Sequence, residues 1–151
     1  MTNVMLWPDL YREHGHWLPA VNLAKSLQNR TYSVRFMGIP DCQEIVSPYN
    51  AEFQPIFSKI YPIGHTVADA LEPVGQRWKP HHLMPLVRRE LDSVFTAADA
   101  PHLLIAGYFV GLEALIVHYL YGIPLMILTT FLRHPQEDPA TFARGKLIYM
   151  P

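Results

Sequence analysis

The stretch "YREHGHWLPAVNLAKSLQNRTYSVRFMGI", Tyr11–Ile39, decides the fold. It opens on a polar turn that contains one glycine, Gly15. Trp17, Ala20, Val21, Ala24 and Leu27 then recur at helical spacing, which predicts a helix from about His16 to Asn29. Pro19 is tolerated if it lies in the first turn. Tyr32–Ile39 follows with strand alternation, placing Tyr32, Val34 and Phe36 on one side. Ahead of the stretch, "NVMLW" (Asn3–Trp7) is an apolar run of strand length closed by Pro8 and Asp9. The order is strand, helix, strand. The Gly15–His16 pair therefore falls just past the carboxyl end of the first strand, where parallel sheets hold their ligands.

The same alternation continues. A short helix is expected over Asp41–Val46, stopped by Pro48, and a third strand over Ala51–Phe57. Pro55 argues that this strand ends early or lies at an edge. Residues 58–79 have no period and read as a long loop, of the kind that is functional or disordered in compact domains. Leu83, Leu86, Val87, Leu91, Val94, Phe95 and Ala98 trace one helical stripe, with Arg88, Arg89 and Asp92 on a solvated face. His102–Gly107 reads as a buried strand, Phe109–Tyr121 as a mostly buried helix and Ile123–Thr130 as another buried strand. Such alternation implies an α/β fold, a Rossmann-like parallel sheet with helices on both faces. Residues 1–130 form one domain in this reading. Residues 131–151 form a proline- and charge-rich tail, with one helix over Pro139–Lys146, or the start of a further segment.

Bulk properties exclude several classes. A formal net charge of −1 gives no electrostatic case for nucleic acid or an anionic membrane. The single cysteine, Cys42, builds neither a disulfide framework nor a zinc set and points to a reducing, cytoplasmic setting. It has no implied histidine partner that would make it a nucleophile. The N-terminus lacks the pattern of a signal peptide. Leu103–Leu128 carries Glu113 as its one formal charge, yet glycines and "GIP" cut it into strand and helix lengths, so no membrane span is expected. His14, His16, His81 and His82 come with no HExxH or paired aspartate, so no metal site is expected. Met84, Met126 and Met150 read as core or tail residues. "PDLYREHGH" holds one glycine where a dinucleotide fingerprint needs three, and no Walker-type loop occurs, so no cofactor is implied.

"GHWLPAVNLAKSLQNRTYSVRFMG" and "PHLLIAGYFVGLEALIVHYLYGIPLMIL" together resemble the N-terminal half of glycosyltransferases of the two-domain GT-B architecture. The natural-product and antibiotic branch, whose first helix begins Gly-His-x-x-Pro, is the one resembled. The likeness runs from about Asn3 to Thr130. It implies acceptor binding in this half, with a nucleotide sugar as co-substrate held by a C-terminal donor domain. It also implies His16 as general base toward an acceptor hydroxyl. An imidazole, with an ordinary pKa of about 6.5, offers a neutral form at neutral pH. A helix N-terminus further disfavours positive charge. Gly15 and Pro19 would shape the turn, and Tyr61, Trp78 and His81 would line the acceptor pocket. Read without the resemblance, His16 caps the helix or bonds the adjacent loop, Trp78 pins its loop to the body, and His81 and His82 are solvent-facing loop residues.

The sequence departs from that pattern twice. Plant and many bacterial relatives place an aspartate where Gly107 stands, and His102 replaces the usual aspartate before that strand. Either another carboxylate supports His16, with Glu13 and Glu113 the nearest candidates, or base catalysis is feeble or absent. The chain also stops at Pro151 with no donor domain, which implies no turnover by this segment alone. Two other classes stay open. One is a non-catalytic Rossmann-like module that pairs with a second chain or with itself; the other is a small-molecule or anion receptor at Gly15–Trp17.

Overall fold

The computed structural model describes residues 2–64 and 80–129, and for 80–83 the backbone alone. Its strands are β1 (Asn3–Trp7), β2 (Ser33–Gly38), β3 (Glu52–Pro55), β4 (Leu103–Gly107) and β5 (Leu125–Leu128). Its helices are α1 (His14–Gln28), α2 (Gln43–Val46), α3 (Pro80–Phe95) and α4 (Gly111–Tyr121). Single 3-10 turns occupy Pro40–Cys42, Ser47–Tyr49 and Tyr108–Val110. The sheet runs in the order β3-β2-β1-β4-β5 and every pairing is parallel. The expected α/β fold is present, with β1 at its centre.

Alternation along the strands splits the core into two layers. Met5, Trp7, Met37, Leu104 and Ala106 face α3 and α4, meeting Leu91, Val94, Phe95, Ala114 and Val117. Val4, Leu6, Val34, Phe36 and Ile105 face the other way, onto Trp17, Ala20, Val21 and Ala24 of α1 and Ile45 and Val46 of α2. This is why β1 reads as an unbroken apolar run: both of its faces are covered. Trp17 anchors the second layer. Its ring stacks on Phe36 at 6.1 Å between centroids, and its Nε1 donates to the Tyr11 carbonyl at 2.8 Å.

Several expectations need correction. Helix α1 begins at His14, so Pro19 lies in its second turn and removes the N–H that the Gly15 carbonyl would accept. Tyr32 and Ala98 fall outside their elements and are exposed. Met84 and Met126 are exposed, not core. Arg88 is not simply solvated: its Nε donates to Asp92, which also accepts from the Tyr121 hydroxyl at 2.7 Å, tying α3 to α4. Most consequentially, α4 is not mostly buried. Only Gly111, Ala114 and Val117 are fully buried, while Leu115, Ile116, Tyr119 and Leu120 face outward. Strand β5 is likewise an edge, with Met126 and Ile127 exposed. The sequence records how apolar a residue is, not whether anything covers it. Strand β3 does end at Pro55 and lies at the other edge. The proposed tail helix Pro139–Lys146 lies outside the described residues. Among the described residues, no helix is long and apolar enough to cross a membrane.

Trp17→Ala is expected to lower the unfolding free energy by about 3–5 kcal/mol, because it deletes a fully buried ring between α1 and β2. Urea titration of the chain checks this as a lower midpoint at unchanged slope.

Candidate functional site

The carboxyl ends of β1 and β4 approach each other unusually closely. A Cβ built on Gly107 would lie 1.7 Å from the Pro8 carbonyl oxygen and 2.7 Å from its carbon. Position 107 therefore admits no side chain unless the backbone moves. Beyond this contact the chain leaves β1 through Pro8 and Asp9 and turns into α1, where His16 occupies the first turn.

Pro8, His16, Gly107, Tyr108, Phe109 and Leu128 line a small open groove over the ends of β1, β4 and β5. The His16 side chain is 22% exposed, neither sealed in nor free. Its Nδ1 is hydrogen-bonded to Oδ2 of Asp9, a residue only 4% exposed. The second oxygen of that carboxylate accepts from the Tyr11 backbone N–H at 3.2 Å. One face of the imidazole packs on Phe109, 4.6 Å between centroids, and Phe109 remains 49% exposed. The arrangement offers one tethered imidazole beside an apolar ring, at a site open to solvent. That suits proton transfer with a hydroxyl presented on an apolar body. Among the described residues, no lysine or arginine lines the groove.

The residues singled out from sequence fall unevenly around this groove. His16 lines it. Gly15 is beside it in α1, and a Cβ there would meet nothing within 4 Å, so packing within the described residues does not require a glycine. Tyr61 packs against both core layers and is not among the lining side chains. Trp78 and the His81 side chain lie outside the described residues. Neither suggested carboxylate reaches His16. Glu13 is the exposed N-cap of α1 with no side-chain capping bond. Glu113 has a buried Oε2 with no hydrogen-bond partner among the described residues. The carboxylate that does reach it, Asp9, was missed, as was Phe109. A charged residue directly after "NVMLWP" was the available signal, since Val4–Trp7 before it is wholly apolar.

Polar contacts brace the surrounding loops. Asp41, itself nearly buried, accepts from the Gly64 N–H at 2.7 Å, and Arg12 pairs with Glu44 at 2.9 Å. Among the described residues no group of three or more His, Cys, Asp or Glu side chains is placed to hold a metal. Burial pushes the Cys42 thiol up to about 12, with the Asp9 and Asp41 charges adding to the effect.

No family model matches the sequence, and no curated protein matches it. Solved structures do match. The calicheamicin glycosyltransferase CalG4 aligns at 16% identity and TM-score 0.54, over 97% of this chain and 37% of its own. The spinosyn rhamnosyltransferase SpnG aligns at 17% identity and TM-score 0.57, over 94% and 38%. MurG of Acinetobacter baumannii aligns at 17% identity and TM-score 0.56, over 85% and 35%. The matched structures are GT-B glycosyltransferases, mostly of antibiotics and natural products. At these identities the likeness is one of fold, and the chain spans little more than a third of each of these three proteins.

Cys42 is expected to resist a disulfide reagent at pH 8 in the folded chain and to react once urea unfolds it. Because its folded pKa is raised from 9.0 to about 12, the thiol's contribution to stability is full below about pH 9 and is lost as pH rises toward 12. Thiol titration with and without denaturant checks the reactivity.

Proposed function

Starting from the fold of a Rossmann-like half of a GT-B glycosyltransferase, we propose that this chain is the acceptor-side domain of a nucleotide-sugar-dependent transferase. His16 is the base toward an acceptor hydroxyl. The observation that carries the reading is the place of His16: in an open groove at the carboxyl ends of β1, β4 and β5, braced on Nδ1 and packed against the Phe109 ring. Neutral imidazole takes the hydroxyl proton as the oxygen attacks the sugar's anomeric carbon and the nucleotide diphosphate leaves with the bonding pair. Phe109 offers the acceptor an apolar surface, and Gly15, Tyr61, Trp78 and His81 are the further acceptor-side candidates. The donor sugar must be held against the acceptor, and that positioning supplies much of the rate. In this reading a donor domain holds the nucleotide sugar, and this segment alone does not turn over.

A second reading, a non-catalytic module that pairs with another chain, is favoured by one observation. Helix α4 presents Leu115, Ile116, Tyr119 and Leu120 to solvent, with Tyr119 at 82% exposure, beside the exposed Met126 and Ile127 of β5. An outward face that apolar is what a protein partner covers.

In a longer protein that carries this segment and transfers sugar, His16→Ala is expected to lower kcat on the order of 10²–10⁴-fold. Its circular dichroism should match that of the parent. Turnover near the parent's removes His16 from the mechanism. For the second reading, light scattering of the chain across a concentration series should show self-association. A monodisperse monomer at high concentration argues against it.

A further inference from the structure

We propose that Asp9 is the positioning carboxylate of His16, fixing the imidazole as the Nδ1–H tautomer so that Nε2 carries the free lone pair. The ends of β1, β4 and β5 border the groove. The β4 end is barred, because a side chain on Gly107 would overlap the Pro8 carbonyl. The same approach carries Asp9, the next residue after Pro8, into contact with His16.

The hydrogen-bond count then fixes the proton. An ionised carboxylate only accepts. Oδ1 of Asp9 accepts from the Tyr11 N–H, and Oδ2 faces Nδ1 of His16. Nδ1 is therefore the donor, and in the neutral ring Nε2 is left as the acceptor nitrogen. Both partners are held before any ligand arrives. Asp9 is buried to 4% exposure, Tyr11 is tied through its carbonyl to the Trp17 indole at 2.8 Å, and Phe109 backs the ring. Asp9 touches no groove surface of its own, so it acts through the imidazole and not on an acceptor directly.

The role in transfer rests on the reading of His16 as base; the tautomer does not, and the two are tested separately. Long-range proton–nitrogen NMR of the chain at a pH where His16 is neutral reads the tautomer without any variant. The expected spectrum has a protonated Nδ1 and a bare Nε2. A proton on Nε2 overturns the proposal even if His16→Ala abolishes transfer. Asp9→Asn keeps the shape and an acceptor for Tyr11 but turns an amide N–H toward Nδ1, and should move the ring proton to Nε2. Unchanged tautomers in a folded Asp9→Asn chain also overturn the proposal. In the longer transferring protein, Asp9→Asn should lower kcat on the order of 10²-fold with little change in KM, and Asp9→Glu should recover part of the loss. A purely structural role would not produce that split, and equal kcat for the parent and Asp9→Asn overturns the positioning role. If His16→Ala itself retains turnover, the base reading fails while the tautomer result stands.

Discussion

The contact between the Pro8 carbonyl and the bare α-carbon of Gly107 is the constraint on which the rest of this molecule depends. It lies where the two central strands of a parallel sheet end together, with Trp7 registered against Ala106. A hydrogen at that position lets β1 and β4 stay close to their last residues, so the β1–α1 and β4–α4 connections emerge side by side. Glycine is used here for close backbone approach, not for conformational freedom. Any side chain would pry the strand ends apart and separate His16 from the Gly107–Phe109 wall opposite.

What holds the site is mostly local. Asp9 and Tyr11 of the β1–α1 connection bond to His16 and Trp17 near the start of α1, and these bonds close loops of only a few residues. The entropy lost in closing such loops is small compared with a contact between distant segments. The helix supplies the rest. Trp17 sinks into the α1 face of the sheet against Phe36, and the residue before it is thereby turned toward the groove. Packing on one side of α1 thus orients chemistry at its start. Gly38 belongs to the same logic, since a Cβ there would sit 2.8 Å from the Trp17 ring.

The fold was legible because its signals are one-dimensional. Apolar runs at strand length, a stripe at helical spacing and a Gly-Ile-Pro break survive in the sequence with no knowledge of neighbours, and Pro55 announced its edge through its missing N–H. Two things were not legible. The covering of α4 and β5 depends on what packs there, and Leu115 or Met126 carries no mark of its surroundings. The pairing of Asp9 with His16 depends on the angle at which the chain leaves β1, which the Pro8–Gly107 approach sets. Gly107 suggested a missing carboxylate; it took the backbone to show that the same glycine admits one from the neighbouring strand.

The two edges of the sheet are built for different surroundings. Strand β3 ends in proline and carries Glu52 and Gln54, features that blunt an edge exposed to water. Strand β5, "LMIL", carries no charge, no proline and no polar residue, and the helix before it turns Leu115, Ile116, Tyr119 and Leu120 outward. An edge of that kind is stable in water only at a cost that grows with its apolar area. Leu128 belongs both to this strand and to the wall of the groove. An element laid along β5 would therefore border the groove as well as bury the edge. The two functional readings are consequently less opposed than they look: a surface that recruits a neighbour along β5 would by the same contact build up one side of the site around His16.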